Sequence, residues 1–488
     1  MSVIRGAARL ALCALGLGVS GCATTSPLPG GTGARWTRME MAHVVLETDA
    51  NASVAQSLAR DVENLATAML AMVVPRNRAS RGLEVVALRD DELASFHPTV
   101  LGFFDDRRYV GPILVVGAPS GAVGRQVLRR ELARAVVATH FPQVPQWLGE
   151  GLVSNLQTVE IDRSTAIATW GAITRAEIDE WRAGKVSAHA LAQQSWPPHE
   201  SRQRVLASKV LVRMLARCHH AQWACLVEGL SRFDKYEDVL DHCFPSRDDW
   251  ETEYSGEVGA GEGVIGEAPV QVTDSELAMV PMSRADSDAA VALAIDGIRR
   301  SLPADDQRQA NLSSAFTARL GSALASDPAN VRANLLKWMS MTSAQEATFD
   351  EQAYGRLSAQ LVAAHPEDWR AWCWRADLVS TPPGEVRAAL AKASALAPDR
   401  AEVVELLAYD AIRQDRWEEA AQFALRAFTL RPSDEIAWNL VFATLEWQGR
   451  CQEARAFLAT SSEIDRWVRD NLRGHAGTQN RPHHCIEP

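Results

Sequence analysis

Several things are scarce in this chain, and each absence narrows what it can be. Beyond residue 19 no apolar run is long enough to cross a bilayer as a helix. Aromatic residues make up only 7% of a chain that is 47% hydrophobic, the balance of an Ala- and Leu-rich helical protein. There is no basic excess: the formal net charge is -11. A nucleic-acid partner needs a basic surface, so none is expected. No G-x-S-x-G elbow and no phosphate loop is found, which removes the commonest hydrolase and nucleotidase signatures. Gly261-x-Gly263-x-x-Gly266 matches the dinucleotide fingerprint in form only. No strand leads into it and no helix opens from it, as phosphate binding requires, so no nucleotide and no other cofactor is expected.

What is present begins at the N-terminus. Arg5 and Arg9 precede an apolar stretch from Leu10 to Val19, and Val19-Ser20-Gly21-Cys22 follows. That order of charge, short apolar core and small residues before a cysteine resembles the bacterial lipobox. The resemblance implies cleavage after residue 21 and a diacylglycerol on Cys22. Residues 22–38 then form a tether, and the membrane is a partner through the lipidated Cys22. Ala23, rather than an aspartate, implies by the same resemblance an outer-membrane anchor facing the periplasm. Loss of Arg5 and Arg9 leaves 48 basic against 61 acidic residues, near -13.

With 488 residues, two or three domains are expected at roughly 100–200 residues each. Eight cysteines are present. Without Cys13 and Cys22, six remain. Cys218, Cys225 and Cys243 share one helical stretch, and any two can pair. Cys485 can return to Cys451. Outside the cytoplasm such disulfides persist, but spacing alone does not fix the pairing.

Short stretches at 44–50, 83–89 and 109–117 read as strands. Helices are read at 52–72 and 122–140, and an almost wholly helical stretch from there to about 255. This predicts an α+β domain over 39–255, with a small sheet beside a helical body. The Gly- and Glu-rich run after 255 reads as a linker, 256–282.

The chemistry-bearing segment is Arg129–Leu152, RRELARAVVATHFPQVPQWLGEGL. It resembles the peptidase-MA-like gluzincins, which carry HExxH on one helix and Pro-x-Trp-Leu-x-Glu-Gly on the next. The resemblance implies a zincin-like fold, with Glu131 at the general-base position and Glu150 at the third zinc ligand. The two histidine positions are Arg130 and Arg134. A guanidinium has no lone pair to give and a pKa above about 12, so it cannot ligate zinc. The reading is a pseudo-metallopeptidase with no metal. Its two guanidiniums are expected to replace the charge of zinc, one of them forking onto the Glu150 carboxylate. The alternative is a hydrolase that uses Glu131 and Glu150 with a metal or nucleophile of another kind. The thiols and imidazoles of Cys218-His219-His220, Cys225 and His242-Cys243 are too irregular in spacing to read as a metal site.

From 283 to 470 the chain is helix after helix, followed by a tail, 471–488. Pro366, Pro398 and Pro432 recur at 32 and 34 residues, with small residues such as Ala408, Ala420 and Ala424 between. The pattern resembles the tetratricopeptide repeat. It is clear over 401–465 and faint over 283–366. Repeats of this kind stack and line a concave groove with their first helices. That implies Glu402, Glu405, Tyr409 and Ile412, then Ile436, Asn439, Ala443 and Glu446, as the face for a peptide or another envelope protein. The sequence therefore reads as a lipid-anchored envelope protein that binds or scaffolds.

Overall fold

The structure is a computed structural model. It describes residues 36–74, 82–89, 102–107, 111–117, 122–141, 144–184, 186–193, 201–231, 236–259, 262–302, 306–343, 350–378, 381–431, 434–459 and Cys485. The chain is mostly helical, with a small sheet near its N-terminus.

Five of the strands in that sheet are β1 (Thr37–Glu40), β2 (Val44–Thr48), β3 (Leu83–Leu88), β4 (Gly102–Arg107) and β5 (Gly111–Gly117). β2, β3 and β5 run parallel, and β4 returns antiparallel along β5. The crossover between β2 and β3 is α1 (Ala52–Val73), which begins where the Asn51 side chain accepts the Val54 N–H at 3.1 Å. An Asx cap of this kind satisfies one of the open N–H groups of the first turn. Ala55, Leu58, Ala59, Val62, Ala66 and Met69 form its buried stripe.

The strand interiors are continuous apolar runs, and the fold shows why. In β3, Leu83, Val85 and Ala87 pack with α1 and α2 (Ala122–His140), while Val86 and Leu88 point the other way. β5 divides likewise, with Leu114 and Val116 on one face and Ile113 and Val115 on the other. Parallel strands covered on both faces need apolar side chains at every position.

The second cover comes from far along the chain. α10 (Arg284–Ser301) and α11 (Arg308–Ser326) lay Ala289, Ala290, Leu293 and Ile298, with Leu312 and Phe316, against Val86, Leu88, Ile113 and Val115. The sheet is thus sandwiched between helical layers, where the sequence placed it beside one helical body. The line drawn at 282/283 runs through a shared core.

Between the covers lie α3 (Gln146–Leu156), α4 (Arg175–Ala183), α5 (Ala188–Gln193), α6 (Arg202–Cys218), α7 (His220–Ser231), α8 (Tyr236–Cys243) and α9 (Trp250–Gly259). α6 is central: every residue from Leu206 to Ala216 is buried. A second sheet joins β6 (Glu160–Asp162), β7 (Ile167–Trp170) and β8 (Gly266–Pro269), and β9 (Val280–Pro281) adds to β1. The segment expected as a linker is therefore folded, with α9 running to Gly259 and both β8 and β9 paired. Its glycines suggested slack because each strand is too short to show a period.

Beyond α11 come α12 (Val331–Ser343) and α13 (Glu351–Ala364), then three hairpins of paired helices. These are α14 (Trp369–Asp377) with α15 (Pro383–Leu396), α16 (Ala401–Arg413) with α17 (Trp417–Leu430), and α18 (Glu435–Trp447) with α19 (Cys451–Leu458). The last two repeat in detail. Asp415 (φ 55°) and Gly449 (φ 69°) take the left-handed turn between helices. The arginine that follows each, Arg416 or Arg450, pairs with Glu419 or Glu453. Among the described residues no helix is long and apolar enough to cross a membrane.

Candidate functional site

α2 and α3 carry the motif that resembled a metallopeptidase. Glu131 is buried, and two guanidiniums approach its Oε1: Arg134 Nη1 donates at 3.3 Å and Arg130 Nε lies at 3.9 Å. Burial pushes the Glu131 carboxyl above its ordinary range, against the pull of Arg134 and Arg130. The expected fork onto Glu150 is not formed. Both arginines turn to Glu131, which is nearer on their own helix and draws them because it is desolvated. Arg130 is half exposed (52%) and Arg134 about a third (35%), so neither is a buried replacement for an ion. Glu150 is half-buried on α3. With guanidiniums at both histidine positions, the donor set does not fit zinc.

The rest of the motif has a packing explanation. Trp147, Leu148 and Leu152 are in the core, and Trp147 meets Tyr236 edge-on at 6.4 Å. Gly151 is where α3 touches α6. A Cβ there would lie 2.6 Å from Val212 Cγ2 and 2.7 Å from the Ser208 carbonyl oxygen. One turn on, Asn155 Nδ2 donates to the Gly151 and Lys209 carbonyls at 2.8 and 2.9 Å, tying the two helices.

The cysteine and histidine stretch is also structural. Cys225 and Cys243 form a disulfide, His219 Nε2 lies 2.6 Å from Glu253 Oε2, and Cys218 is a free thiol. Among the described residues no group of three or more His, Cys, Asp or Glu side chains is arranged to hold a metal. The glycine-rich turn is held by a buried arginine: Arg213 Nη1 donates to the Gly263 carbonyl at 2.7 Å and Arg213 Nε to Glu257 at 2.6 Å.

The residues assigned to the repeat groove are distributed unevenly. Glu402 is buried and accepts from Arg431 Nη1 at 3.0 Å. Glu405 is fully buried. Both serve the interior of the hairpin stack rather than an open face. Tyr409, Ile412, Ile436, Asn439, Ala443 and Glu446 are half-buried along α16 and α18. Glu446 accepts the Cys485 N–H at 3.4 Å, and Cys485 is disulfide-bonded to Cys451 at the start of α19. The tail thus returns to the last hairpin. Cys22 lies outside the described residues.

With this geometry established, the chain can be set beside known proteins. No family model and no curated protein matches it. Among the solved structures that are similar in part, two are of MamA. One, of MamA protein, spans 40% of this chain and 98% of its own, at 12% identity and a TM-score of 0.25. The other, a MamA mutant, spans 37% and 95%, at 16% identity and a TM-score of 0.26. At that level nothing of MamA's role carries over.

A third place was not foreseen. Where the β1/β9 edge of the sheet meets α12 and α14, a cleft of about 210 Å³ is lined by Arg38, Glu47, Arg332, His365, Asp368 and Arg370, among others. Arg332 is buried, donating to both Glu47 oxygens at 2.6 and 3.0 Å and reaching Glu84 at 2.5 Å. Burial pushes the Glu47 carboxyl up, but Arg332 and Arg38 overcome this and hold it below its ordinary range. At Glu84 burial prevails over the pull of the same arginine and, with Glu47 beside it, that carboxyl ends above its ordinary range. The one signal in the sequence was an acid inside each of two apolar strands, Glu47 and Glu84. Their partner lies 285 and 248 residues away, out of reach of any local pattern.

Proposed function

We propose that this chain is a non-catalytic binding protein of the bacterial envelope, anchored by a lipid on Cys22. Its tetratricopeptide-like hairpins hold a partner protein or peptide. Its front half descends from a peptidase-MA-like ancestor whose chemistry is lost. The observation that carries the binding role is the regular hairpin pair over 401–458, with the same turn and the same arginine–glutamate pair 34 residues apart. Stacked hairpins of this kind present an extended surface and no reaction centre of their own. The loss of chemistry is supported by Glu131, the would-be general base, which faces two permanent cations and no ligand set. Two disulfides suit an oxidising compartment. The half-buried Tyr409, Ile412, Ile436 and Asn439 are the contact residues this reading selects.

The test uses the full chain as bait in envelope extract. Tyr409→Ala with Asn439→Ala should release the captured partner while the circular dichroism spectrum stays unchanged. A partner that stays bound would remove the hairpin face from the reading. Separately, the purified chain should hold no stoichiometric zinc. One equivalent lost on Glu150→Ala would restore the enzyme.

A further inference from the structure

The cleft between the sheet edge and α12/α14 belongs neither to the motif on α2 and α3 nor to the hairpin face, and its accessible groups are arranged for a ligand. Arg370 is clamped by Asp368 through Nε and Nη2, at 3.0 and 2.8 Å, which leaves its Nη1 without a described partner. Arg38 is a third exposed and fixed by Glu40 and Glu47. His365 is equally exposed, and its nearest carboxylate, that of Glu367, is 3.9 Å away. The two guanidiniums are oriented by acids before any ligand arrives, so a ligand need not order them.

The opposite charge stands at the rim. Asp286, in the first turn of α10, is exposed and positioned by Asn330 Nδ2 and Ser283 Oγ, each at 2.7 Å. Val280, Pro281 and Met282 give the cleft an apolar side. Pro281 has no N–H to offer an incoming strand, so extension of the sheet is blunted and recognition falls to side chains. Both halves of the molecule supply walls, a common setting for small-ligand sites.

We propose that this cleft binds the free carboxylate end of a short peptide or amino acid. The carboxylate lies on Arg370 Nη1 and Arg38, with His365 beside it. The ammonium group of a dipeptide reaches Asp286, and an apolar side chain rests on Val280 and Met282. Arginine suits this task because its planar fork matches a carboxylate. The site is independent of the hairpin face and can stand or fall without it.

The test is calorimetric titration of the full chain with alanyl-leucine, its C-terminal amide and its N-acetyl form, with free leucine and orthophosphate alongside. The free dipeptide should bind saturably, and the amide about tenfold more weakly or worse, as loss of a charge-assisted contact implies. The N-acetyl form should lose less. Arg370→Gln should weaken the dipeptide as much as amidation does, while Arg426→Gln, on an exposed arginine of α17, should change nothing. If Arg370→Gln melts early, Arg38→Gln replaces it and should show the same loss. Equal binding of amide and acid, or no saturable binding of either dipeptide or leucine, overturns the proposal. Saturation by orthophosphate alone overturns it too.

Discussion

Single residues in this protein are constrained by what surrounds them more than by their own type. Gly151 is the clearest case, since a methyl there would meet both a side chain and a backbone carbonyl of α6. Gly151→Ala should cost about 1–3 kcal/mol through overpacking, read as a shifted urea midpoint. Arg130 is the reverse. Its pair with Glu131 is long and half exposed, so Arg130→Ala should change the midpoint by about 0–1 kcal/mol. Arg332 is fully enclosed with two carboxylates. Arg332→Met should cost about 3–5 kcal/mol by stranding them, and Glu47→Gln with Glu84→Gln in the same chain should recover most of the loss. His43 adds a pH dependence. Its hydrogen bond to Glu63, 2.7 Å long, raises its pKa above 6.5, against the opposing effect of burial. A histidine with a raised folded pKa stabilises fully below its unfolded value, and that stability is lost as pH rises through the folded pKa. Thermal melts of wild type and His43→Gln should therefore converge as pH rises from 6.5 through the raised folded pKa. A gap that widens there would be the wrong sign.

Secondary-structure elements differ in how far the sequence announces them. α1 and α2 were legible almost to the residue, because each carries a stripe of apolar side chains over five turns. The parallel strands were legible from uninterrupted Val, Leu and Ile. β8 and β9 were not, because four and two residues carry no period and their partners lie about a hundred and about 240 residues back. The hairpins were legible through proline and alanine spacing, yet which faces stay open was not. Glu402 and Glu405 look like surface residues until Arg431 and the neighbouring helices close over them. At this scale the Cys451–Cys485 disulfide is the testable element. It closes a loop of 34 residues, so Cys485→Ser should lower the stability of the last hairpin by about 3–4 kcal/mol if chain entropy dominates. Limited proteolysis near α19 would show it, and equal cleavage rates would argue that the tail adds nothing.

The whole molecule is less divisible than its sequence suggests. A front domain and a rear domain were expected, yet α10 and α11 cover the Val86, Leu88, Ile113 and Val115 side of the front sheet. A fragment ending at residue 282 leaves Val86, Leu88, Ile113 and Val115 bare. It should aggregate or bind a hydrophobic dye where the full chain does not. Monodisperse, dye-silent behaviour of that fragment would show that the second cover is dispensable.

One consequence follows for how pull is carried through the protein. β1 is hydrogen-bonded to β9, from which the chain passes directly into α10. Thr37 stands opposite Pro281 in this antiparallel pair, so tension between residue 36 and the helices beyond Pro281 would open the β1/β9 ladder from that end, one hydrogen bond after another.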